Sequence, residues 1–184
     1  MYIALKGKDT VYLAISSGSE LSMTEGEALL EENLPICIGD KGTKSLICFS
    51  SQTMITQFMK YDPEVTSKHM NYDTVLNFLV PYIMDKSSEY GQLVNNQEAN
   101  FYAVVCYDNE IYEIGSNGEV THVDSSWSHN GEPYFALKKV TMGQEDPITR
   151  FRNIFRGLER ETGRKFFPIS IYNAKTGNRK IVKS

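Results

Sequence analysis

Short apolar runs separated by polar turns fill both ends and the middle of this chain. The opening, "MYIALKGKDTVYLAISSG", has apolar runs at 3–6 and 11–15 around Lys8-Asp9, which predicts a β-hairpin that begins at the first residues. Residues 16–33 are polar and acidic, with Glu25, Glu27, Glu31 and Glu32, and predict a long exposed connection with a short helix near 27–32. Runs at 36–38 and 46–49 flank "GDKGTK" and predict a second strand–turn–strand. The period then changes. Ser50 and Ser51 are N-cap residue types, Met54, Ile55, Phe58 and Met59 share one helical face, and Pro63 closes that helix. A second helix is predicted over 71–84, its apolar face made of Val75, Leu76, Leu79 and Ile83, with Pro81 kinking or dividing it.

The sharpest pattern is "FYAVVCYDNEIYEIGSNGEVTHVD". Runs at 101–107, 110–114 and 120–123, rich in β-branched and aromatic residues, are separated by Asp108-Asn109 and Asn117-Gly118, a three-stranded meander. "EPYFALKKV" predicts a short helix. Asp146-Pro147 is an N-cap followed by proline at the first helical position, and Ile148, Phe151, Ile154, Phe155 and Leu158 form a stripe that stops at Gly163. "FFPISIYN" and "RKIVK" close the chain as a hairpin turning at Thr176-Gly177, with Pro168 confined to the beginning of its strand or to an edge. Strands and helices come in blocks, which disfavours βαβ units. The order predicts an α+β fold, a four-layer αββα sandwich of two stacked, mainly antiparallel sheets flanked by helix pairs, in one domain over 1–184.

Composition narrows the function classes. The 184 residues carry a formal net charge of −4, which argues against nucleic acid as a partner. Cys37, Cys48 and Cys106 lie inside apolar runs, and three cysteines without regular spacing read as small buried hydrophobes in a reducing compartment. No apolar stretch reaches the roughly 18 to 20 residues of a membrane helix, and no signal segment is visible, so the expected location is cytoplasmic. His69, His122 and His129 have no Cys or carboxylate at ligand spacing, and neither a metal nor another cofactor is expected. Trp127 reads as packing under a helix. Arg152, Arg156 and Arg160 recur at i, i+4, i+8 and read first as a solvated face with Glu159 and Glu161 interleaved, and second as a candidate face for an acidic partner.

Three segments carry a resemblance to a known family: the opening hairpin, "NLPICIGDKGTKSLICFSSQTMITQFMKY", and the meander running into "SWSHNGEPYFALKKV". The chain resembles the proteasome-subunit family of the N-terminal-nucleophile hydrolase fold, most closely the bacterial proteasome-like peptidase that works with a AAA+ unfoldase. The resemblance implies a nucleophilic threonine at the start of the first strand, whose own α-amine takes the proton. It also implies ring-like homo-oligomers, with a related subunit or a AAA+ unfoldase as partner. Here the threonine position falls on Met1, or on Tyr2. The family's aspartate falls on Ser17, its basic residue falls in the Glu31-Glu32-Asn33 stretch, and its turn serine falls on His129; only Gly18 and Gly131 match.

That pattern predicts a catalytically silent subunit acting through assembly. Glu31 and Glu32 would also raise the pKa of an amine nearby and keep it protonated. One alternative is an active amide hydrolase, with a nucleophile released by processing at Thr43 (in Gly42-Thr43), Ser17 or Ser19. Another is a small-molecule-binding module that uses the cleft of the lost site. For Thr43 the structural reading is a hairpin turn, given its Gly, Asp and Lys neighbours. The surplus of apolar side chains at Met54, Phe58, Leu79 and Met84 predicts outward helix faces for self-association.

Overall fold

In the computed structural model, residues 1–16, 25–26, 30, 36–38, 45–49, 59–90, 93–94, 98–99, 103–124, 126–128 and 146–184 are described. Strand β1 (Tyr2–Lys6) turns through Gly7 and Thr10 into β2 (Val11–Ser16), as the apolar hairpin predicts. The hairpin lies in the interior of its sheet. β10 (Ser126–Ser128) pairs with the free side of β1, and β11 (Ile169–Asn173) with the free side of β2, followed by β12 (Arg179–Val182); the order is β10-β1-β2-β11-β12. A second five-stranded sheet has the order β3-β4-β7-β8-β9, from Ile36–Ile38, Ser45–Phe49, Ala103–Tyr107, Glu110–Ile114 and Val120–Val123. Every pairing is antiparallel. A two-residue ladder, β5 (Leu93–Val94) with β6 (Glu98–Ala99), stands apart.

The meander turns as its turn residues dictate, with Asp108 at φ 47° and Gly118 at φ 80°. β10 and the β5–β6 ladder are additions to the predicted strand order. Each is two or three residues long, too short for an alternation to register.

Alternate residues of β1, β2, β7, β8 and β11 divide the described interior into three apolar layers. Ile3, Leu5, Ala14, Ile169 and Ile171 of the first sheet pack on helix α4 (Pro147–Thr162) through Phe151, Ile154, Phe155 and Leu158. Ala4, Val11, Leu13 and Ile15 meet Val104, Cys106 and Ile111 of the second sheet between the layers. Ala103, Val105, Tyr112 and Ile114 face outward onto Val75, Leu79 and Ile83. Helix α4 starts and stops where the sequence places it: Asp146 caps the Ile148 and Thr149 amides, Pro147 follows, and Gly163 ends it at φ 69°.

The other helical layer differs from expectation in two respects. The helical residues 59–61 stop ahead of Pro63, as expected, and Pro63 in addition opens a short helix, α1 (Pro63–Thr66), because Asp62 caps the Glu64 amide in front of it. Beyond it, α2 (Tyr72–Thr74), a π-helical segment Val75–Leu79 and α3 (Val80–Glu89) run on as one helix. The Val80 amide bonds to the Val75 carbonyl, five residues back, so the wider turn relieves the clash that Pro81 would make in a regular helix. The buried positions Val75, Leu79, Ile83 and Ser87 accordingly recur every fourth residue. Leu76, expected in the apolar face, is 40% exposed, whereas Leu79, placed both in that face and among the surplus residues for self-association, is fully buried and so belongs to the face alone. Met84 is half-buried in the same core, against Gly118. Met54 and Phe58 lie outside the described residues.

Candidate functional site

The candidate catalytic end is the start of β1. Met1 is already held in the ladder: its carbonyl accepts from the Ser16 amide at 2.9 Å, and its nitrogen donates to the Ser16 carbonyl at 3.4 Å. Its thioether side chain packs at the margin of the α4-side core. Tyr2, on the opposite face of the strand, packs against the core between the sheets.

Two serines lie in the strands beside this end, and both are engaged. The buried Ser16 hydroxyl donates to the Phe166 carbonyl at 2.7 Å, tying β2 to the segment that leads into β11. Ser170 is fully buried opposite Ile15 and accepts from Arg179 Nε at 3.0 Å. Arg179 also lies over the Tyr172 ring, 5.8 Å from its centroid. A guanidinium stays protonated and carries only donors, so it cannot take the proton of Ser170. A general base needs a group that titrates near neutrality and accepts. Neither serine contact provides one.

Ser17, Ser19, Gly18, Glu31, Glu32, Asn33, Thr43, His129 and Gly131 lie outside the described residues. Cys37 and Cys48 fall on β3 and β4, and Cys106 is buried between the sheets. Trp127 is on β10, opposite Ala4. The three arginines do not form one uniform face: Arg152 is half-buried, whereas Arg156 and Arg160 are exposed and joined by an Arg160 Nε to Arg156 carbonyl bond of 3.3 Å.

The opposite end of β1 gathers charge. Lys6 Nζ bonds Glu110 Oε2 on β8 of the other sheet at 3.0 Å, and the same carboxylate oxygen contacts His122 Nε2 on β9. Asp124 lies 3.8 Å from His122 Nδ1, and the Tyr112 ring stacks 5.6 Å from the imidazole. The His122 bond, seconded by Lys6 against partial burial, holds the Glu110 carboxyl below its ordinary value of 4.5. Backbone atoms join the sheets here as well, through the Val11 amide and the Asp108 carbonyl at 2.8 Å. The positions involved are 104 and 12 residues apart in sequence and carry no spacing motif; only the meander register, which sets Tyr112 opposite His122, foreshadows part of the cluster.

Two further pairs sit in and beside the helical layer of the second sheet. Tyr82 donates to Asp62 at 2.6 Å, which lowers the carboxyl, while burial and that same carboxylate raise the phenol. Tyr107 and His69 meet at 2.7 Å. Among the described residues, no group of three or more His, Cys, Asp or Glu could hold a metal ion, and no helix is long and apolar enough to cross a membrane.

No family model matches the chain, and no curated protein matches its sequence significantly. Solved structures do match in fold. Anbu (ancestral beta-subunit) from Yersinia bercovieri superposes with a TM-score of 0.67 at 8% identity, over 100% of this chain and 87% of the other. Anbu from Pseudomonas aeruginosa, solved as a helical assembly, gives 0.66 at 10% identity over 100% and 86%. BPH from Thiobacillus denitrificans, solved in complex with epoxomicin, gives 0.63 at 12% identity over 97% and 100%. The chain has the α+β sandwich fold of the proteasome-like, N-terminal-nucleophile hydrolases.

Proposed function

We propose that this chain is a catalytically silent proteasome-like subunit, one domain over 1–184, that works in the cytoplasm through assembly with copies of itself. The observation that carries the reading is the start of β1. A threonine there would supply a hydroxyl beside its own amine, and the chain supplies the Met1 thioether on the helix side and the Tyr2 phenol on the interlayer side. A thioether has no proton to give up and forms no acyl intermediate, however its amine is exposed. The neighbouring hydroxyls do not substitute, because Ser16 donates to a carbonyl and Ser170 is held by Arg179.

Assembly is favoured by the fold, which the Pseudomonas aeruginosa Anbu complex uses to build a helical assembly. A related subunit or a AAA+ unfoldase is the heterologous partner this reading allows. Neither nucleic acid nor membrane has a place in it.

The rival reading, an active amide hydrolase, draws its support from BPH, a protein of the same fold solved with epoxomicin. Its nucleophile would be Thr43, Ser17 or Ser19. The two readings separate when the purified protein is incubated with fluorogenic peptides and with an epoxyketone, and its intact mass is then recorded. The silent reading expects an unmodified mass and no turnover. A stoichiometric adduct, mapped to one of those residues, replaces it with the hydrolase.

A further inference from the structure

The second sheet ends in an exposed strand. Among the described residues, β9 pairs with β8 alone. Of the strands described along their whole length, it is the one without a buried residue: Thr121 and His122 are exposed, Val120 and Val123 half-buried. The register fixes which of its backbone groups are left over. The Gly115 amide donates to the Glu119 carbonyl at 2.8 Å, which makes that opposed pair a bonded one. Bonded and open pairs alternate along an antiparallel ladder, so Glu113–Thr121 is bonded, whereas Ile114–Val120 and Tyr112–His122 are open. The amides and carbonyls of Val120 and His122 therefore point away from β8, along the edge. Edge strands are ordinarily blunted by Lys, Pro or a bulge. β9 carries neither Lys nor Pro, and its register runs without a bulge.

The charge around this edge has one sign. Between Lys86 and Lys138 the sequence has neither Lys nor Arg, and the meander holds Asp108, Glu110, Glu113, Glu119 and Asp124. Glu119 and Asp124 flank β9 at its two ends and are exposed, Asp124 at 98%. The neighbouring elements do not reverse the sign. Lys6 is paired with Glu110, and Arg150 donates to the Lys6 carbonyl. The β1–β2 turn adds one charge of each sign, Lys8 and Asp9. In the helical layer over the second sheet, Lys60, Lys68 and Lys86 stand against Asp62, Glu64, Asp73, Asp85 and Glu89; Lys86 is paired with Glu89, and Lys68 lies over the Phe78 ring. A row of rings also leads to the edge. The His122 imidazole lies 5.6 Å from the Tyr112 ring, and Tyr112 lies 5.8 Å from the exposed Tyr72 ring. Such rings receive a guanidinium or an ammonium on their faces.

We propose that β9 is a docking edge for an extended, basic segment of a partner protein, which adds a strand to the second sheet beyond β9. Main-chain bonds to Val120 and His122 supply the register. Successive side chains of the added strand point to opposite faces. Those on one face meet His122 and Asp124, and those on the other meet Thr121 and Glu119. Charge complementarity selects the occupant, because a segment with Arg or Lys at these positions is attracted and an acidic one is repelled. The contact draws on no residue at the start of β1, so it holds whether or not that end is silent.

Fluorescence anisotropy of a short labelled peptide of alternating Arg and Val, titrated with the whole protein, tests it beside a counterpart with Glu in place of Arg. The Arg peptide should bind, and the Glu peptide at least about tenfold more weakly. Bound Arg peptide should slow hydrogen exchange at the Val120 and His122 amides. Val120→Pro removes an edge donor where a strand tolerates proline, its N–H facing solvent. Glu119→Lys/Asp124→Lys reverses the charge at two exposed positions. Each variant should weaken the Arg peptide by at least about tenfold while urea unfolding stays cooperative. No binding of the Arg peptide, equal binding of both peptides, wild-type affinity in either variant, or protection confined to residues outside β9 overturns the docking edge. Protection of the β9 amides in the protein alone, growing with its concentration, assigns the edge to a second copy and overturns it as well.

Discussion

The two ends of β1 are built from different chemistry. At its start, Met1 and Tyr2 are absorbed into apolar layers and the nearby serines are sealed into hydrogen bonds with a carbonyl and a guanidinium. At its far end, Lys6 reaches across to a carboxylate that also holds His122. The start of β1 is held by packing and by hydrogen bonds to backbone carbonyls and a guanidinium, and the far end by a partly exposed ionic tie between sheets. The contrast teaches that one strand can be secured by different forces at its two ends, apolar packing at the start and an ionic tie at the finish.

Substitutions separate the two ends by size of effect. Phe166→Ala removes a nearly buried ring that packs on Phe155 at the start-of-β1 end, and should destabilise by about 3–5 kcal/mol in urea unfolding. Ser16→Ala leaves the Phe166 carbonyl without its buried donor and should cost about 1–3 kcal/mol. A loss below a few tenths would mean that the serine is not the tie described here. At the far end, Glu110→Gln should cost under about 1 kcal/mol at neutral pH, because the carboxylate is 41% exposed.

The pH dependence sharpens the contrast. Glu110 titrates below its ordinary 4.5 in the folded chain, so its contribution is complete above that value and disappears as the pH falls through the lowered folded one. Unfolding followed from pH 7 to pH 3 should show part of the acid-side loss missing in Glu110→Gln and unchanged in Ser16→Ala. The smallest expected effect is on activity. Met1→Thr, with the threonine amine exposed, should gain no peptide turnover, because a nucleophile without a tuned base and an orienting carboxylate remains unactivated.

Much of the scaffold was legible in sequence because it is written in local signals. The β1–β2 hairpin, the meander with its Asn117-Gly118 turn, and α4 between Asp146-Pro147 and Gly163 each depend on residues close together in the chain. The π segment was legible only as trouble at Pro81, since a kink, a break and a widened turn all relieve the same clash. β10 escaped because three residues pairing with β1 across more than a hundred positions leave no periodic trace. The site divides in the same way. Met1 and Tyr2 could be singled out by position, whereas the Lys6–Glu110–His122 tie needs the sheets stacked before its members meet. The Ser170–Arg179 bond follows from the β11–β12 register once that hairpin is paired, and the sequence offered no reason to look for it.

Intact-mass spectrometry after incubation with an epoxyketone tests the central claim most directly. The account predicts that the folded, assembled protein keeps its unmodified mass, with Met1 inert at the head of β1. A stoichiometric mass increase on any residue of the untreated protein would contradict it.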